Sequence, residues 1–310
     1  MLEKRNKSLF LLLVALVVTT SGVFWFGTKP EQTPVDKEIF KHFDLANIDE
    51  IRLTSPADTV VLKYSGSRWF VNELFPADRS MMDVLFATLQ QAEPRRPVAA
   101  SLRDSLATGL QQRGVKVELF TSGEIQQTFF AGGSQTRNQA YFLDAVSGLS
   151  YLMTIPGYRV YVAGIFELDE SGWRDKFVFG FNWRNFQRLK LNYSRNSSDD
   201  FEVAMGNNYF SVLGIVKVDT TKVNDFLDNV SLLTVMDYVS ADRTLDSLGG
   251  EMPQATILVE DVARNEYRLE LYRPTAASRT YHGRINGKQW ATFEKSGIEE
   301  IVRPRSFFAE

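Results

Sequence analysis

Apolar residues fall at Met82, Leu85, Phe86 and Leu89, and again at Val223, Phe226, Leu227 and Val230. Both sets have the i, i+3, i+4, i+7 spacing that lines one helix face, so the pattern predicts a helix over about 79–91 and another just after Asp219. Each run follows an aspartate, Asp78 or Asp219, whose carboxylate suits an N-cap because it accepts an orphan N–H and faces the positive end of the dipole. Upstream of each lies an aromatic, β-branched stretch: Trp69-Phe70-Val71 through Phe75-Pro76-Ala77, and about 141 positions later Phe210-Ser211-Val212 through Val216-Lys217-Val218. The chain therefore reads as a duplication.

The alternation around these landmarks predicts strands at about 48–54, 59–64 and through Trp69. The capped helix comes next, then a break at Pro94-Arg95-Arg96-Pro97, a shorter helix near 101–112, and four strands near 115–120, 125–131, 139–144 and 149–155. The second half repeats the order: Phe181, Phe186, Leu189 and Leu191 stand where Phe43, Ile48, Ile51 and Leu53 were, and Thr256-Ile257-Leu258-Val259 matches Lys116-Val117-Glu118-Leu119. Neighbouring strands with grouped helices indicate an α+β class, each repeat a curved antiparallel sheet packed on its Asp-capped helix.

From Leu9 to Phe26 the chain carries no charge, and Lys4, Arg5 and Lys7 precede it. As a helix this run is roughly 27 Å long, about the thickness of the hydrocarbon layer. It continues through Val23-Phe24-Trp25-Phe26 instead of ending at a small-residue cleavage site, which favours an uncleaved anchor over a signal peptide. The cluster of cations before it favours an N-terminus in the cytoplasm and the rest outside the inner membrane. The resulting division is a tail at 1–8, an anchor at 9–27, a tether at 28–42, repeat domains at 43–156 and 184–310, and a connecting segment at 157–183.

Composition narrows the partners. With 35 Lys+Arg against 38 Asp+Glu the net charge is −3, so nucleic acid is not expected as a partner. The absence of cysteine removes disulfides, thiolate nucleophiles and zinc ribbons. The two histidines, His42 and His282, stand in no ligand cluster, and neither a nucleophile elbow nor a glycine-rich phosphate loop is present, so neither catalytic residues, nor a cofactor, nor a metal is expected. Asp78 and Asp219 recur at equivalent places, which capping explains better than an acid and base pair.

Trp69-Phe70-Val71-Asn72, Ala77-Asp78, Pro97-Val98, Trp173-Arg174-Asp175-Lys176, Phe181 and Leu189-Lys190-Leu191 together make a pattern that resembles the bacterial family known as domain of unknown function 4340. The resemblance covers most of residues 43–310. It implies a single-pass protein with a duplicated extracytoplasmic domain, associated with ABC-type export or gliding-motility membrane complexes, and it brings no catalytic residues. The second half departs from the pattern: Leu213 replaces Asn72, and Val302-Arg303-Pro304-Arg305 is only a weak echo of Trp173-Arg174-Asp175-Lys176.

The connecting segment is too apolar for a free linker, so it either packs between the halves or offers a contact surface. Tyr158, Tyr161, Phe166, Trp173 and Trp183 are thus the candidate partner-binding residues, with Asp78 and Asp219 as structural caps. The expected function is that of a non-enzymatic membrane-anchored accessory protein binding a membrane complex, with ABC-type permease subunits as the partners implied by the resemblance. An envelope glycan- or peptide-binding module, using an aromatic-lined cleft between the halves, is the alternative, and a hydrolase ranks third.

Overall fold

The computed structural model describes residues 2–26, 35–206, 209–274 and 279–310, and within the first helix the side chains of 10–22. The helix is α1 (Leu2–Phe26). It exposes Phe10 through Val18, and its threonine hydroxyls turn inward, Thr19 to the Ala15 carbonyl at 2.9 Å and Thr20 to that of Leu16 at 2.7 Å. Among the described residues no helix is long and apolar enough to cross a membrane. Residue 27 of the expected anchor, residues 28–34 of the expected tether, and the side chains of Lys4, Arg5, Lys7 and Trp25 lie outside the described residues.

The first half then runs β1 (Glu50–Thr54), β2 (Thr59–Ser65), β3 (Arg68–Val71), β4 (Phe75–Pro76), α2 (Arg79–Gln91), β5 (Glu93–Pro97), α3 (Ala100–Arg113), β6 (Val115–Thr121), β7 (Glu124–Gly133), β8 (Ala140–Asp144) and β9 (Ser150–Thr154). After α4 (Glu170–Trp173) the second half follows with β10 (Phe186–Tyr193), β11 (Phe201–Met205), β12 (Phe210–Val212), α5 (Thr220–Ser231), β13 (Asp237–Val239) and α6 (Arg243–Gly249). It closes with β14 (Ala255–Asp261), β15 (Glu266–Tyr272), β16 (Thr280–Ile285), β17 (Gln289–Glu294) and α7 (Lys295–Ile301).

The protein is α+β, with two large antiparallel sheets. Their orders are β4-β3-β2-β1-β6-β7-β8-β9-β5 and β12-β11-β10-β14-β15-β16-β17-β13, which coincide strand for strand once β4 is set aside. The register coincides too. Ile51 faces Leu119 and Leu53 faces Val117 in the first sheet, while Leu189 faces Val259 and Leu191 faces Ile257 in the second, all buried. Because the side-chain period is two, both sheets must hold this register to keep these residues on the core face.

One expectation needs correction. Pro94-Arg95-Arg96-Pro97 is not a break but most of β5, paired to β9 with a register shift between Pro94 and Arg96. It stands at the edge of its sheet, the position where a residue without an N–H costs no ladder bond.

By internal contacts the chain divides into two compact units, Met1–Val61 with Asp83–Glu167, and Leu62–Met82 with Leu168–Glu310. The first has an aromatic centre: Phe129 stacks on Phe142 at 4.8 Å between ring centroids and meets Phe40 and Phe166 edge-on, each at 5.6 Å. In the second, Val223, Phe226, Leu227 and Val230 of α5 join Leu189, Leu191, Val203, Val212 and Ile257 of the sheet in a single cluster.

Within the second unit the two repeats close in the same way. Ala77 bridges Arg174, with the Asp78 N–H donating to the Trp173 carbonyl at 2.8 Å and the Asp175 N–H to that of Pro76 at 2.8 Å. Val218 bridges Ala309, with the Asp219 N–H donating to the Phe308 carbonyl at 2.9 Å and the Glu310 N–H to that of Lys217 at 3.3 Å. Phe308-Ala309-Glu310 is therefore the counterpart of Trp173-Arg174-Asp175, and the echo sought in Val302-Arg303-Pro304-Arg305 is corrected accordingly.

The carboxylate of Asp78 accepts from the Met81 N–H at 3.0 Å, and that of Asp219 from the N–H groups of Thr221 at 3.1 Å and Lys222 at 3.2 Å. The backbone bond from Lys222, followed by its ammonium, holds the Asp219 carboxyl below the usual carboxylate range. A carboxyl lowered on folding stabilises fully above its unfolded value, about 3.9, and the contribution fades as pH falls through the folded value. Asn caps without titrating. The gap in urea midpoint between wild type and Asp219→Asn is expected to be steady near neutrality and to shrink on acidification below about pH 4.

Candidate functional site

The aromatic candidates separate by burial. Phe166 is 1% exposed and sits edge-on to Phe129 and to Phe142, at 5.6 and 5.7 Å. Trp173 is 0% exposed, and its neighbour Arg174 is also buried. The Arg174 guanidinium lies between the rings of Phe75 at 3.5 Å and Tyr238 at 3.6 Å, with Glu170 at 3.6 Å and the Gln289 side-chain oxygen at 3.3 Å. Burial lowers its pKa, opposed by Tyr238 and Glu170. Phe166 and Trp173 are core residues and present no surface to a partner, which corrects their candidacy.

Tyr158 and Trp183 are exposed, at 65% and 48%, with the Trp183 ring against Phe210 at 5.1 Å. Tyr158, Tyr161 and Phe166 belong to the first unit, Trp173 and Trp183 to the second.

Tyr161 is half-buried and lines a groove in the first unit. One wall is α3, which offers Leu102, Leu106 and Leu110; of these only Leu110 is buried, and Leu102 is largely exposed. The remaining lining comes from the turn at Ser55, from Val98, from the end of β7 at Gly132 and Gly133, and from Ser134, Arg137 and Tyr141 beyond it. The volume is about 620 Å³, within the range of small-ligand sites.

Glycine makes the groove possible. A Cβ on Gly133 would lie 2.3 Å from the Tyr161 ring, and one on Gly132 would lie 2.8 Å from a Leu110 methyl. The tyrosine thus rests directly on backbone. Its hydroxyl donates a very short hydrogen bond to Glu167, which also pairs with Arg137 at 3.3 Å. Burial, reinforced by the Glu167 bond, pushes the Tyr161 hydroxyl well above the tyrosine range, so it remains a donor. Gly133→Ala is expected to displace the ring at a cost of about 1–3 kcal/mol. The same change should return the hydroxyl toward about 10, read by ultraviolet titration; an unmoved tyrosine titration would contradict this packing.

The second repeat keeps a groove at the corresponding place. Val239, α6 through Leu245 and Leu248, Arg273 just after β15, and His282 of β16 line about 650 Å³, but Asp242 and Glu251 give this lining an acidic share. Among the described residues no group of three His, Cys, Asp or Glu could hold a metal.

Neither groove was legible beforehand, because each lining is drawn from segments scattered along the chain. The one local signal is Gly132-Gly133, a pair that reads as a turn in the sequence but ends β7 in the structure.

The family model described as Domain of unknown function (DUF4340) matches residues 69–250. No curated protein and no solved structure matches the chain.

Proposed function

Since the chain belongs to the family of Domain of unknown function (DUF4340), a name that carries no activity, we propose from its physical features that it is a non-enzymatic, membrane-anchored accessory protein whose repeats bind a protein partner outside the cytoplasmic membrane. The observation that carries this reading is the α3 groove, with its apolar wall left open and its polar side fixed by the Tyr161, Glu167 and Arg137 contacts. A groove with an apolar wall and a few oriented polar groups is the usual form of a recognition site. The anchor rests on the uncharged run Leu9–Phe26, on the continuous helix α1, and on threonine hydroxyls satisfied within it, as an apolar surround demands. The membrane subunits of an ABC-type complex are the proposed partner class.

The test is purification of the full chain in mild detergent beside Leu106→Asp. A stoichiometric membrane partner that is lost with the variant is the expected result; recovery of the wild type as a lone monomer would overturn the proposal. A reporter active only outside the cytoplasm, fused after Glu310, checks the orientation. The exposed Trp183 ring favours a second reading, a glycan-binding surface in the second unit, since sugars stack on open indole faces. Titration with cell-wall fragments should then shift tryptophan fluorescence in wild type and not in Trp183→Ala.

A further inference from the structure

Arg113 is the last residue of α3 and lines the groove. Gly109, one turn earlier, leaves space into which the guanidinium folds back: one of its nitrogens is 3.0 Å from where a Cβ on Gly109 would stand. Among the described residues Arg113 has neither an ion pair nor a hydrogen-bond partner. The acid of the lining is Glu167, already taken by Tyr161 and Arg137, so the groove holds two guanidinium groups against one committed carboxylate. The apolar side chains of Leu106 and Leu102 stand one and two turns before Gly109 on the same helix, and the hydroxyls of Ser55, Ser105 and Ser134 share the lining.

We infer that the α3 groove takes the free C-terminal end of a peptide, its carboxylate on Arg113 and an apolar side chain against Leu102 and Leu106. This deepens the proposed function and rests on it. An unpaired guanidinium is a fork matched to a planar carboxylate, and Arg113 is exposed to receive one. The volume of about 620 Å³ admits a few residues and not a folded domain. The corresponding groove of the second repeat, carrying Asp242 and Glu251, lacks the positive excess and should refuse the same ligand.

The probes are N-acetyl-alanyl-leucine as free acid and as amide, with octanoate as a carboxylate lacking peptide groups, titrated calorimetrically into the full chain in detergent. The free acid should bind at one site, at least tenfold more tightly than the amide. Arg113→Ala should weaken the acid by a similar factor while leaving the amide unchanged, and Arg113→Lys should restore part of the loss. Equal binding of acid and amide, indifference to Arg113→Ala, or binding of neither would overturn the inference. Octanoate binding without the peptide acid would also overturn it and assign the groove to an acyl carboxylate. If Arg113→Ala keeps the membrane partner and Leu106→Asp loses it, the carboxylate reading falls while the proposed function stands; if both variants keep it, both fall.

Discussion

Replacing Arg174 by alanine should lower the stability of the second unit by about 3 kcal/mol. The guanidinium lies at 3.5 and 3.6 Å from two aromatic rings, so both of its flat faces are in use. Desolvated cation–π contacts are worth about 2 kcal/mol each, and the cost of burying the charge offsets part of that sum. Its Nε has no hydrogen-bond partner among the described residues, which keeps the electrostatic gain modest and makes the filled volume matter. Arg174→Met, which fills the slot without charge, should therefore lose only about 1 kcal/mol, whereas Arg174→Lys should resemble alanine because an ammonium has no faces to stack. Urea unfolding followed through tryptophan fluorescence measures all three. Equal losses for methionine and alanine would mean that charge, not packing, holds the slot.

Phe129→Ala should cost about 3–5 kcal/mol in the first unit. The ring is 0% exposed and touches Phe40, Phe142 and Phe166, so its removal opens a cavity and breaks three ring contacts at once. Phe129→Leu keeps most of the volume and should lose under about 2 kcal/mol. A loss below about 2 kcal/mol for the alanine variant would show that the neighbours collapse into the space.

These two sites also mark what could be read from the chain and what could not. The helical stripes were plain: Met82, Leu85, Val223, Phe226, Leu227 and Val230 are all buried, because a repeating face has few ways to lie on a sheet. Strand alternation was equally plain where Ile51, Leu53, Leu189 and Leu191 point inward. β5 was not, since two prolines in five residues signal a loop unless the strand is known to be at an edge. Nor was the likeness of Phe308-Ala309-Glu310 to Trp173-Arg174-Asp175, because main-chain hydrogen bonds carry it and those leave side chains free to diverge. Arg174 itself joins residues from sequence positions as distant as Phe75 and Gln289, a meeting that no local pattern records.

The prolines of β5 have a consequence for the protein in company with its own kind. An open sheet margin is a template onto which another molecule's strand can zip, the first step toward fibres. Pro94 and Pro97 carry no amide hydrogen, and Arg95 and Arg96 place two charges between them on the outermost strand of the nine. Growth of insoluble cross-β aggregates from that margin is thereby disfavoured, even at high protein concentration.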